Sequence, residues 1–244
     1  MPVLAPPLPG SNSVTAANLA VTPILDHDSR AVRGLAELLA RGDCRGRLFA
    51  QTAHRHLASA VRPVYTLDEH LPASAVLARG RGSCSQRMAC LEAVCRARGV
   101  PTRVRALWVD GRFWYPRFRL ARPFIPPHVL LAWPQLHLDG AWTDFDELYA
   151  PAGEMAARHP GRFTNDGETL FEAVRHTAVD FLGKSAGCGP VCDAAGGGAG
   201  LSSFVIRDDG FFDTRDELFA RLGTLRRTVR GTAFEAVFGG RKSV

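Results

Sequence analysis

The chain is predicted to be an α+β protein, on three observations. Up to Arg98 the apolar residues recur at helical spacing. From Thr102 to Phe145 they alternate with polar ones in short runs. Those runs are punctuated by Asp110-Gly111 and Asp139-Gly140, both strong two-residue turn signals. Helices first and an antiparallel sheet afterwards is an α+β order. The chain has 244 residues, 46% hydrophobic and 22% charged, enough to bury a core without a disulfide scaffold.

Met1 to Ser13, rich in Pro, Gly and Ser, is expected to be a disordered tail. Val32, Leu35, Leu38 and Leu39 put a helix over Ser29 to Ala40, capped by Asp28 or Ser29. A second helix runs from about Gly46 to Ala60 and is ended by Pro63. Val64 to Leu67 reads as extended, and Ser74 to Leu77 as one helical turn. The clearest helix is Ser85 to Arg98, apolar around most of its circumference and therefore interior. Gly99 and Pro101 stop it.

The β section reads as two hairpins. Thr102 to Val109 turns at Asp110-Gly111 and returns over Arg112 to Phe118. Val129 to Leu138 turns at Asp139-Gly140 and returns over Ala141 to Phe145. These elements define a core over 14–150, with 151–244 as an extension completing the domain. In that extension Glu168 to Val179 is expected to be helical and Lys184 to Gly200 a Gly-rich loop. Ser203 to Ile206 is expected to form a strand, and Asp213 or Thr214 to cap a helix through Leu222.

The net charge of +6 comes almost wholly from arginine, with Lys184 and Lys242 the only lysines. No run of five like charges occurs and no basic–aromatic alternation, so a nucleic-acid partner is not expected. No stretch is apolar for long enough to span a membrane, and Met1 to Ser13 lacks the form of a signal peptide. A cytoplasmic protein with six free thiols is expected. Cys90 and Cys95 read as core residues. Cys188 and Cys192 lack a second Cys or His pair to complete a zinc set.

Cys84 is the residue with chemical promise. In Gly82-Ser83-Cys84-Ser85-Gln86 it stands at the start of the buried helix, where unsatisfied N–H groups and the dipole favour an anion such as a thiolate. The same N–H groups suit an oxyanion. A small buried residue at a helix start would look the same.

A resemblance separates the two readings. Leu77-Ala78-Arg79-Gly80-Arg81-Gly82-Ser83-Cys84-Ser85-Gln86-Arg87-Met88-Ala89, continuing into Ala97-Arg98-Gly99-Val100-Pro101-Thr102-Arg103, resembles the core motif of the transglutaminase-like superfamily. In that family Gly-x-Cys opens a buried helix that ends in Arg-x-x-Gly-(Ile/Val)-Pro-x-Arg. Leu138-Asp139-Gly140-Ala141-Trp142-Thr143-Asp144-Phe145-Asp146 resembles the family's second hairpin, in which a Trp precedes the catalytic Asp by four positions.

The resemblance implies a papain-like fold and acyl transfer through an acyl-cysteine at an amide or thioester carbonyl, with no cofactor or metal. It implies Cys84 as nucleophile and Asp146 as the residue that orients a histidine, with Asp144 as the fallback. The histidine departs from the pattern. The family's His-x-Trp aligns with Leu131-Ala132-Trp133, so Leu131 stands where the base is expected. His128 is the candidate base and His137 the alternative. The run His128-Val129-Leu130-Leu131 is similar to that of the arylamine N-acetyltransferases, which would take an acyl thioester. A catalytically inactive binding module is the remaining alternative. The expected partner is a small-molecule, peptide or carrier-bound acyl substrate. Four arginines (Arg103, Arg105, Arg117 and Arg119) alternate on the expected strands and could bind a carboxylate.

Overall fold

Helix α4 (Cys84–Arg96) organises the molecule, and its limits follow from its sequence. Extended Ser83 caps it: the Ser83 hydroxyl accepts from Gln86 N–H at 3.2 Å, and the Gln86 side chain accepts from Ser83 N–H at 3.1 Å. At the other end Gly99 adopts φ 73° and Val100 N–H donates to Cys95 O, a left-handed stop. The computed structural model describes residues 12–42, 44–118, 122–159, 163, 165, 167–184, 201–224 and 232.

Every residue from Gln86 to Arg96 is buried, so the helix is interior, as its apolar circumference predicts. Three of those residues are nevertheless charged, and each has partners. Arg87 donates to Glu172 at 2.8 Å, and Glu92 accepts from Arg215 at 2.7 Å. Arg96 donates to Thr102 and to the carbonyls of Ala17, Ala20 and Asp213. A buried charge is tolerated only when it is paired and hydrogen-bonded in this way.

Helices α1 (Arg30–Leu39), α2 (Gly46–Ala60) and α3 (Ala73–Arg79) pack around α4. Ser29 caps α1 through Val32 N–H, and Gly80 ends α3 at φ 58°. Two short strands, β1 (Arg62–Pro63) and β2 (Arg81–Gly82), pair in parallel and lead the chain into Cys84. The expected extended piece at Val64 to Leu67 thus begins earlier: Arg62 and Pro63 pair with β2, and Val64 N–H donates to Gly82 O at 3.1 Å.

The main sheet contains β3 (Thr102–Asp110), β4 (His128–Leu138), β5 (Ala141–Asp144) and β6 (Val205–Phe212), in the order β5-β4-β3-β6 with every pair antiparallel. Leu107 faces Leu131 across β3 and β4, and Gln135 faces Arg103 on one side and Asp144 on the other. Mixed helices with a curled antiparallel sheet make the fold class α+β.

The Asp139-Gly140 hairpin forms as expected, with both residues at positive φ. The Asp110-Gly111 hairpin does not. Asp110 instead caps a 3-10 turn over Gly111–Trp114 through Arg112 N–H, and β3 pairs with β4, formed by residues further along the chain. Gly111 is required by contact rather than by a hairpin: a Cβ there would lie 2.0 Å from Pro126 O, and Gly111 N–H donates to Pro127 O. The tertiary fit overrides the local turn preference.

The helix expected over Glu168 to Val179 shrinks to α6 (Leu170–Ala173), and α5 (Ala152–Arg158) precedes it. The expected strand at Ser203 to Ile206 begins at Val205 and continues to Phe212. Thr214 caps α7 (Arg215–Leu222) through Glu217 N–H. The Pro-rich stretch up to residue 11, the loop over 185–200 with Cys188 and Cys192, and Arg119 lie outside the described residues. Among the described residues no helix is long and apolar enough to cross a membrane.

Candidate active site

Cys84 is half-buried at the first position of α4 and opens into a cleft of about 150 Å3. One wall is mostly apolar and includes Val64, Leu67, Trp114, Phe118 and Ile125. Val129, Leu130 and Leu131 of β4 close another side. The polar groups at the cleft are few: Tyr65, Glu69, Ser83, Ser85, Arg117, Asn165 and Thr169 among them. A concave, largely apolar site with a few convergent polar groups is the usual form of a small-molecule site.

Arg117 shapes the rim. It donates to Asn165 Oδ1 at 3.1 Å and to Glu168 O, and it hydrogen-bonds Tyr65. Burial pushes the Tyr65 hydroxyl above its ordinary pKa, with the Arg117 hydrogen bond opposing that shift. Gln86 is committed elsewhere, since its side chain completes the cap and donates to Asp68 O at 2.7 Å.

The first turn of α4 is held by a polar relay that the sequence did not suggest. Ser85 Oγ lies 2.5 Å from Glu69 Oε2 and accepts from Arg215 Nη1 at 3.0 Å. Arg215, fully buried, also donates to Glu92 Oε1 and, at 3.2 Å, to Ala132 O on β4. One guanidinium from α7 therefore fastens the first turn of α4, a point two turns further along it, and the strand that closes the cleft.

The expected triad is not assembled. Leu131 lines the cleft beside Cys84, and Trp133, on the same face of β4, donates from Nε1 to Asp146 Oδ1 at 3.4 Å. His128 is exposed at the start of β4, opposite Asp110, and does not line the cleft. The β3–β4 register is unbroken from His128 onward, so His128, an odd number of positions from Leu131, lies on the opposite strand face from it. His137 sits near the Asp139-Gly140 turn, edge-on to Trp142 at 5.2 Å. All eight histidines are among the described residues, and none lines the cleft.

Asp146 is buried, in a 3-10 turn over Phe145–Glu147. Burial pushes its carboxyl up to about 8, with the Asp144 charge adding to the shift and Lys184 partly offsetting it. Asp144 does not share its environment. It ends β5, accepts from Gln135 Nε2 at 2.7 Å, and pairs with Lys184. The strand stops between the two carboxylates, so they do not share a strand face.

The other expected binding arginines are used internally. Arg103 lies between the rings of Trp142 (4.2 Å) and Phe211 (4.0 Å) and donates to Gln135, while Arg105 pairs with Asp208.

Residues 39–147 match the family model of the transglutaminase-like superfamily. This part of the chain is a transglutaminase-like core. The match spans the whole region of the resemblance, from α3 through Cys84 to Asp146. No curated protein and no solved structure matches the chain. The transglutaminase-like core supports membership of a papain-like cysteine enzyme family in general terms. In the matched region Cys84 heads the buried helix, and Leu131 stands where the resemblance expects a histidine.

Proposed function

We propose that Cys84 accepts acyl groups from a thioester donor bound in the cleft. The observation that carries this reading is the cleft's composition: a thiol at a helix N-terminus, apolar walls, and Leu131 in place of an imidazole.

The leaving group decides between the two carbonyl classes. An amine leaves a tetrahedral intermediate only after gaining a proton, which in such sites an imidazolium delivers. A thiolate, the conjugate base of an acid with pKa near about 8.5, leaves without one. A site with a thiol and no imidazole therefore favours thioester over amide. In the step, the Cys84 thiol loses its proton and its sulfur bonds the donor's carbonyl carbon. The bond from that carbon to the donor sulfur breaks, and the donor thiolate picks up a proton. The oxyanion of the intermediate meets the N–H groups of Cys84 and Ser85, which neither helix hydrogen bonding nor the Ser83 cap uses. The apolar walls suit a short acyl chain and not a charged one.

Intact-mass measurement after incubation with a short-chain acyl thioester is the test. A single acyl adduct is expected, mapping to Cys84 and absent from Cys84→Ala. The matching acyl anilide should give none. Equal reaction with both donors, or an adduct that survives Cys84→Ala, would overturn this reading.

A further inference from the structure

Thioester exchange still requires that the Cys84 thiol give up its proton, and the cleft offers one group suited to receive it. Its titratable lining residues are Tyr65, Glu69, Cys84 and Arg117. Arginine stays protonated, and Tyr65 is pushed away from neutrality. Glu69 is the carboxylate that remains.

Its geometry is that of a held group, not a loose surface side chain. Glu69 Oε2 is fixed 2.5 Å from the hydroxyl of Ser85, the residue that follows Cys84, and Arg215 fixes that hydroxyl in turn. The other oxygen, Oε1, has no hydrogen-bond partner among the described residues and is not sealed in the core. A carboxylate so placed has one oxygen for positioning and one left for chemistry.

From this arrangement we infer that Glu69 is the proton acceptor for Cys84, directly or through one water, in the role that Leu131 leaves vacant. This rests on the acyl-capture reading. The proton passes from Sγ to Glu69 Oε1, the thiolate sulfur bonds the carbonyl carbon, and the protonated carboxyl returns the proton to the departing donor sulfur. Nothing is consumed beyond the thioester.

The surroundings tune the carboxyl toward that task. Burial raises its pKa, the Ser85 hydrogen bond and Arg215 lower it, Asp68 raises it, and His70 lowers it. His70 is itself exposed and packs on Phe219, away from the lining. Tyr65, Arg117 and the Cys84 thiol complete the titratable and charged groups of the cleft. A raised carboxyl pKa narrows the gap to the thiol and makes transfer between them easier.

The test is the pH profile of Cys84 modification in wild type, Glu69→Gln and Glu69→Asp, with acylation by the thioester and alkylation by iodoacetamide run in parallel. In Glu69→Gln, acylation near neutral pH should fall by about 100-fold. The deficit should close toward pH 10, where hydroxide deprotonates the thiol without help. Glu69→Asp should recover part of the neutral-pH rate. A Glu69→Gln profile that coincides with wild type overturns the inference. So does a deficit that is the same at every pH, which would mark a purely structural role. Alkylation needs the thiolate but no acyl donor. Should wild type refuse the thioester, the alkylation profile still tests Glu69 while the acyl-capture reading fails by itself.

Discussion

Trp133 Nε1 donates to Asp146 Oδ1 at 3.4 Å, and this bond holds a buried carboxyl that the cleft of Cys84 does not reach. Leu131, two positions before Trp133 on the same strand face, lines that cleft. The carboxyl's raised pKa, about 8, matches that isolation: with no imidazolium to pair with, the neutral acid is the cheaper form to bury.

Asp146 should therefore leave a signature in stability against pH. Its folded pKa is raised, so its contribution is fully present below the unfolded value of about 3.8 and is lost as pH rises through about 8. The slope is up to about 1.4 kcal/mol per pH unit. Asp146→Asn, which stays neutral, lacks that slope. Urea unfolding should show the variant gaining on wild type from pH 5 to pH 8, and a constant difference would contradict the assignment.

His54 acts in the opposite sense. Its ring is buried, with Nε2 donating to Phe171 O at 2.5 Å and Nδ1 2.9 Å from the Tyr149 hydroxyl. Burial lowers its pKa to about 4, the Phe171 hydrogen bond working against that shift. The folded state holds it neutral while the unfolded chain protonates below about 6.5, so stability falls as pH falls from 6.5 toward 4. His54→Phe should be less stable at pH 7 yet show a flatter acid limb in the same unfolding series. Because the two slopes oppose each other between pH 4 and 6.5, the single variants are needed to separate them.

Cys84 should be modified by iodoacetamide at neutral pH well before Cys90 and Cys95. Both of those are fully buried, and burial drives their thiols far upward. Cys44 is buried as well and should lag. Peptide mapping after a short pulse would read the order, and label arriving first at any of the other three would remove Cys84 from the site.

Leu131→His should place an imidazole between Cys84 and the Trp133–Asp146 pair. Burying a polar ring there should cost about 1–3 kcal/mol. Anilide hydrolysis should rise at least about 10-fold over wild type if the three positions line up. A folded variant with no gain would mean that Asp146 is too remote to orient a ring at 131.

Arg215→Met should cost about 3–5 kcal/mol, because Glu92 would be left buried without its partner. Adding Glu92→Gln should return part of that loss. Denaturant unfolding of the two single variants and the double variant measures the coupling, and simple additivity would show that the pair is energetically independent.

Much of the fold was legible because its signals are local. Ser83, Gln86 and Gly99 delimit α4 within a few residues of one another, and the Asp139-Gly140 turn needs only its own two residues. Even the gap in the triad was legible, since Leu131 stands two before Trp133 in an otherwise matching motif. Glu69 and Arg215 were not, being 16 and 130 residues from the Ser85 hydroxyl they hold, with no periodicity to link them.

The sequence by itself therefore determined an α+β chain with a thiol at the head of a buried helix and no histidine in the expected place. Only the tertiary structure decided which carboxylate lines the cleft of that thiol, that Gly111 packs under Pro126 instead of turning a hairpin, and that His128 stays outside the cleft. Caps, turns and apolar periodicity are set by neighbours along the chain. Proximity across the cleft depends on strand register and helix packing, which no local run of residues encodes.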